Sequence, residues 1–257
     1  MRWIVLLFAI AMPVVAWLSN SGAFGPDNGT VSDNYPTLLV AAGYAFSIWG
    51  LIFLLDLVYA LWQVAGKRAK DPILRRIVPW AAGGFALTTA WMPLFSLGEA
   101  WSPAFWLCLP VIGGAAACLL HCAQMLSRDR GLIPDRWRLP WLALSLHAGW
   151  LSLAAFLNIA QVIVAFELLP TANMLGWSVV VMLLAATVLL AMNARMRGNP
   201  AYALAALWGL VAVHSKQSGW GLPGSDVAAW LAIAIAAVLL LQTPWLQRRR
   251  RPWRRRG

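Results

Sequence analysis

Charge is scarce in this chain. Lys and Arg number 20 and Asp and Glu only 9, together 11% of 257 residues, where a soluble domain carries about 25%. With 61% hydrophobic residues and a mean hydropathy of +0.69, the shortage excludes a soluble globular domain and a disordered one. Cysteine is nearly absent: Cys108, Cys118 and Cys122 lie in one apolar stretch, an odd number in the wrong setting for a disulfide framework. Gly is too rare for collagen, at 20 residues, and no heptad seam runs through the chain. A Gly-rich phosphate loop, a nucleophile elbow and a His-Glu-x-x-His motif are all missing. No nucleophile, base and oxyanion site assemble, so an enzyme is not expected. What is present is an all-α, polytopic transmembrane bundle.

A spanning helix needs about 20 apolar residues. Clusters of polar residues, Pro and Gly divide the chain into eight such stretches: Trp3–Leu18, Gly43–Ala65, Ile77–Leu97, Ala104–Leu126, Leu139–Ala160, Leu175–Asn193, Pro200–Val213 and Val227–Trp245. Basic residues test that count, because cytoplasmic loops are enriched in them. Of the 20, 19 fall on alternate connections or the two ends, and only Lys216 lies opposite. Both termini are therefore expected in the cytoplasm of a plasma or inner membrane. The net charge of +11 reads as a topology signal that also attracts anionic lipid, and nucleic acid is not an expected partner. Arg2, an apolar run and the small residues Ser19 and Ser21 also fit a cleavable signal peptide; the eight-span reading keeps the segment. Asn28-Gly-Thr30 fits a glycosylation acceptor on the outer face.

Ionisable groups at membrane depth are costly and mark function. Counted at 1.5 Å per residue, Asp56 lies about 20 Å and His147 about 18 Å below the outer surface, so the two can meet as a proton-linked or ligand-orienting pair, or simply as an interhelical hydrogen bond. Cys118, His121 and Cys122 share a helical face, but no fourth ligand matches them, so neither metal nor other cofactor is expected. Glu167, His214 and Lys216 read as solvated loop residues. Tryptophan is the abundant signal, at 17 residues. Trp3, Trp62, Trp80, Trp101, Trp137, Trp141 and Trp245 sit at span ends and fit an interfacial belt. Trp49, Trp91 and Trp150 sit about 9 to 13 Å deep on three different spans, where they line an aromatic pocket or pack as core.

Around those three residues the sequence resembles the tryptophan-rich sensory protein, or translocator protein, family (TspO/MBR). Ser47-Ile-Trp-Gly-Leu-Ile-Phe53 is similar to the family's Pro-Val-Trp-x-x-x-Tyr, matching at Trp49 and, with Phe for Tyr, at Phe53. Thr88-Thr-Ala-Trp-Met-Pro-Leu-Phe95 resembles its Asn-x-x-Trp-Ser-x-Leu-Phe, with Thr88 in the Asn position. Trp150-Leu-Ser-Leu-Ala-Ala-Phe-Leu-Asn158 follows its Trp-x-x-x-Ala-x-x-Leu-Asn, while His147 stands at a Tyr position. The resemblance covers about the first three-fifths of the chain. It implies a five-helix core over 1–160, with three additional transmembrane helices over 161–247 and a basic cytoplasmic tail over 248–257. It further implies a hydrophobic planar ligand, a tetrapyrrole or sterol-like lipid, bound for sensing or transport. Trp49, Phe53, Trp91, Trp150 and Asn158 would line that site, with Thr88, Asp56 and His147 orienting the ligand. The expected partners are this porphyrin- or lipid-like molecule, membrane lipids and a second copy of the chain in a homodimer.

The outer connection Ser19–Leu38 is long and rich in turn formers, which fits a lid over the same side. The alternative function is a proton-coupled secondary transporter working through Asp56 and His147, for which Pro93, Pro110, Gly113 and Gly114 would break spans three and four.

Overall fold

The computed structural model describes residues 1–65, 71–127 and 135–249. Among these, 83% are helical and none lies in a strand. Eight long helices coincide with the eight expected spans: α1 (Arg2–Asn20), α3 (Ile48–Val64), α4 (Pro72–Leu97), α5 (Pro103–Ser127), α6 (Asp135–Ala165), α7 (Leu175–Arg195), α8 (Pro200–Trp220) and α9 (Ser225–Arg248). A short helix α2 (Asn28–Asn34) and a 3-10 turn (Gly43–Ser47) lie between α1 and α3. By length and composition, six of the eight are apolar enough to cross a membrane. The exceptions are α4 and α8, which carry Arg75 and Arg76, and His214, Lys216 and Gln217, respectively. The expected basic residues Lys67, Arg68, Lys70, Arg128 and Arg130, and the tail from Arg250 onward, lie outside the described residues.

Local chemistry sets the helix starts. Asp71 caps α4, its Oδ1 accepting from the N–H groups of Ile73 at 2.9 Å and Leu74 at 3.2 Å, with Pro72 filling a position that needs no donor. Asn199 and Pro200 repeat the device at α8, with bonds from Ala201 N at 3.1 Å and Tyr202 N at 3.2 Å. Between α8 and α9 the chain reverses through Gly221 and Gly224, at φ of 71° and 84°, a left-handed conformation glycine adopts without steric cost.

Helix α6 is the hub, packing against α3, α5, α7 and α8. Around it α1 contacts α3 and α4, α4 contacts α5, and α9 contacts α7 and α8. Lipid offers little hydrophobic drive between helices, so close backbone approach and polar links hold them. Small residues supply the approach. A Cβ on Gly149 of α6 would run into the backbone carbonyl of Tyr202 on α8, and one on Gly209 of α8 would lie 2.5 Å from Leu153. Polar links join the basic end. The Asn199 amide donates to Ser145 at 2.8 Å and Ser127 at 3.2 Å, and the Asn193 amide donates to Gln242 at 2.8 Å and Thr243 at 3.0 Å. Helices α7 to α9 are thereby part of one bundle with α1 to α6.

Several expectations change. Spans three and four are unbroken, with Pro79 and Pro93 inside α4 and Pro110 inside α5; neighbouring helices compensate the lost bond. Span seven runs seven residues past Val213 to Trp220, so His214 and Lys216 are helical rather than loop residues. Lys216 Nζ pairs with Asp33 at 2.8 Å and sits 4.6 Å from the Trp220 ring centroid, which satisfies its charge at the bundle end. Trp137 is buried and donates to Asp71 Oδ2 at 2.9 Å, so it is not a lipid-facing belt residue, whereas Trp3, Trp101 and Trp245 are exposed. Asn28 is buried at the start of α2, so its amide is not presented as a glycosylation acceptor.

Candidate ligand-binding site

Ring geometry brings the three deep tryptophans together. Trp49 on α3 stacks on Phe53 at 5.2 Å between centroids and lies 6.2 Å from Trp91 of α4 and 5.9 Å from Trp150 of α6. The i, i+3, i+7 spacing of Phe46, Trp49 and Phe53 aligns them on one side of the chain. All eight candidate residues meet in this region, but they do not form one open chamber. They divide into an aromatic layer and a polar chain beneath it.

The polar chain starts at Asp56, whose Oδ2 lies 2.7 Å from His147 Nδ1, both side chains being fully buried. His147 Nε2 is 3.3 Å from Thr88 Oγ1. The Thr88 hydroxyl donates to the Gly84 carbonyl at 2.9 Å, so its oxygen accepts from His147 Nε2–H. His147 is clamped between the Phe85 ring at 6.0 Å and the edge of Trp49 at 5.6 Å. The depth count placed these partners correctly.

In the aromatic layer, Trp91 Nε1 donates to Asn158 Oδ1 at 2.9 Å, and the Asn158 amide donates to Ala154 O at 3.0 Å. The other two indoles differ: Trp49 Nε1 and Trp150 Nε1 are buried and have no acceptor. An unmet buried donor costs about 1–3 kcal/mol, and two in one aromatic layer call for an acceptor that the protein does not supply.

Two spaces adjoin the layer. A slot lined by Trp91, Phe95, Trp150, Asn158 and Gln161 holds about 20 Å³, room for about one water. A larger cavity of about 510 Å³ opens between α1, α2 and the start of α3, with Trp49 and Met92 in its wall. Phe46 borders both spaces, with its ring 6.4 Å from Trp150, and so forms the partition. Phe53, Asp56, Thr88 and His147 border neither space.

The connection expected as a lid roofs the larger cavity and is tied down. Gln217 Nε2 of α8 donates to the carbonyls of Thr37 at 3.1 Å and Val40 at 3.0 Å, and Ala42 N donates to Ala212 O at 2.9 Å. Asn34 Nδ2 donates to Glu99 at 3.0 Å, and Trp208 Nε1 to Ala45 O at 3.0 Å. The sequence reading missed Phe46, Met92, Gln161 and these α8 contacts. Only Phe46 carried a signal, its helical spacing to Trp49. Cys122 Sγ donates to Ile77 O at 3.5 Å, and His121 packs 4.6 Å from the Trp80 ring, so this pair serves interhelical packing.

No curated protein and no solved structure matches the chain. The family model for TSPO-like proteins matches residues 2–245, taking in α7 to α9 as well as the helices that carry the tryptophan motifs. The chain is a membrane protein of the TspO type and belongs to the TSPO-like protein family.

Proposed function

We propose that the protein binds a hydrophobic planar molecule of the tetrapyrrole or sterol-like class, for sensing or transport across the membrane in which it sits. The observation that carries this reading is the pair of acceptorless indole N–H groups, Trp49 and Trp150, on either side of the Phe46 partition. A ring system entering from the larger cavity displaces Phe46, opens the slot and supplies the acceptors. Trp91, Trp150 and Asn158 then face the ligand directly. Phe53, Thr88, Asp56 and His147 act from behind, fixing the position of Trp49. The same proposal includes all eight long helices crossing a plasma or inner membrane with both termini cytoplasmic, a 1–160 core and a 161–247 extension. It includes a homodimer, for which α1 offers an exposed face of Trp3, Leu7, Ile10, Val14 and Trp17.

A porphyrin dimethyl ester, planar and without carboxylates, tests the binding. Titration into the detergent-solubilised protein, followed by the porphyrin absorption band, is expected to saturate. Trp49→Phe/Trp150→Phe removes both donors and keeps the rings, and is expected to weaken binding about tenfold, at about 0.5–1.5 kcal/mol per hydrogen bond. Unchanged affinity in the double variant contradicts the site.

A second reading, proton-coupled transport of a small molecule, is favoured by the buried Asp56–His147–Thr88 chain. It predicts ligand uptake into proteoliposomes that depends on an imposed pH gradient and is lost in Asp56→Asn. Uptake indifferent to the gradient rejects it.

A further inference from the structure

The cavity of about 510 Å³ is lined on its outer side by oxygen-bearing groups. Asp27, Asn28, Thr30 and Asp33 of the roof, with Asn20 and Ser47, surround a floor of Trp49 and Met92. Two buried polar atoms in that lining lack partners: Asn28 Oδ1, in a side chain 8% exposed, and Trp49 Nε1, in one 7% exposed. Asp27 caps α2, accepting from Gly29 N at 2.9 Å, Thr30 N at 3.2 Å and the Thr30 hydroxyl at 2.5 Å. The hydrogen bond from the Thr30 hydroxyl holds Asp27 below the usual carboxylate range, against a smaller opposing effect of burial, so the group is ionised at neutral pH.

The wider field has the same sign. At the end of the bundle that carries this cavity, the described residues include Asp27, Asp33, Glu99, Glu167 and Asp226, and a single base, Lys216. Lys216 is spent on Asp33. An acidic mouth over low-dielectric walls concentrates cations and repels anions.

From this cavity we infer that the ligand's polar end is a hydrogen-bond-donating cation: the site takes an amphipathic amine, with its ammonium among Asp27 and Asn28 and its apolar body over Trp49 and Met92. The inference rests on the ligand-binding reading above and narrows it. Carboxylate-bearing tetrapyrroles are disfavoured at this mouth, while a planar body with a protonated amine satisfies Asn28 Oδ1 and Asp27 at once.

Three naphthyl probes of one shape separate charge from shape: 2-(1-naphthyl)ethylamine, 2-(1-naphthyl)ethanol and 1-naphthylacetate. Each is measured at pH 7 by equilibrium dialysis against the full-length protein in neutral detergent, with empty micelles as blank. The amine is expected to bind at least about tenfold tighter than the acetate, with the alcohol between them and the preference shrinking as salt rises. Asp27→Asn retains a good helix cap and is expected to lower the amine's affinity about tenfold while leaving the alcohol's unchanged. Equal binding of all three probes overturns the charge selectivity and leaves the ligand-binding reading intact. Preference for the acetate, or an Asp27→Asn variant that binds the amine as the native protein does, also overturns it. If no probe binds while the porphyrin ester does, the cavity is not the ligand's entry site. If neither binds, both readings fail.

Discussion

Replacing His147 by leucine is expected to destabilise the bundle by about 3–5 kcal/mol, the cost of removing one member of a buried charged pair. Asp56 is fully buried, its Oδ2 contacts only His147, and its Oδ1 has no partner. In the variant the whole carboxyl group is left buried without a hydrogen-bond partner. The second half of the prediction separates this account from simple cavity formation. Replacing both residues by apolar ones, Asp56→Leu/His147→Leu, removes the stranded group, and pairs exchanged in this way are often neutral or more stable. The double variant is therefore expected to be more stable than His147→Leu alone. Thermal unfolding in detergent, monitored by circular dichroism, reads both. Additive losses at the two positions would show that the residues are not energetically coupled.

The second large effect is expected at the α6–α8 crossing. Gly149→Val places a branched side chain where even a Cβ collides with the Tyr202 carbonyl. A backbone carbonyl does not swing aside as a side-chain tip does, so the helices must separate. The expected loss is about 3 kcal/mol, the upper end of ordinary overpacking. Because α8 also holds the roof through Gln217, Lys216 and Trp208, the separation is expected to reach the outer cavity. Protease susceptibility of the 19–42 connection should then rise in Gly149→Val and stay low in Gly113→Val, where an added Cβ meets nothing within 4 Å. Equal susceptibility in the two variants would detach the roof from the crossing.

These two sites show why some features were legible in the sequence and others were not. The bilayer forces spanning segments to be apolar and about 20 residues long, so long apolar helices are legible in the sequence. Depth counting along straight helices then brought Asp56 to His147 across 91 residues of chain. The same count set Trp49, Trp91 and Trp150 in one layer. It carried no information on lateral packing. The 20 Å³ slot, the Phe46 partition and the two acceptorless indoles depend on rotamers and on which helices adjoin. Trp137 illustrates the limit: its place at a helix end suggested an interfacial residue, yet its partner Asp71 lies 66 residues away on another helix. The α8 contacts were hidden for a related reason. Gln217 meets Thr37 across 180 residues, and its helix is too polar to be read as extending that far.

Functionally, the structure relates the two halves of the chain. The tryptophan motifs lie on α3, α4 and α6, while the roof over their outer side is held by α8.

The central claim is that a planar hydrophobic molecule occupies the space beside Trp49 and Trp150. Mass spectrometry of small molecules released from protein purified out of its native membrane tests it most directly. The account predicts a planar, hydrophobic species with hydrogen-bond acceptors in its ring system, enriched over the bulk lipid and depleted in Trp49→Phe/Trp150→Phe prepared in parallel. Recovery of membrane phospholipid alone, in equal amounts from both proteins, would contradict it.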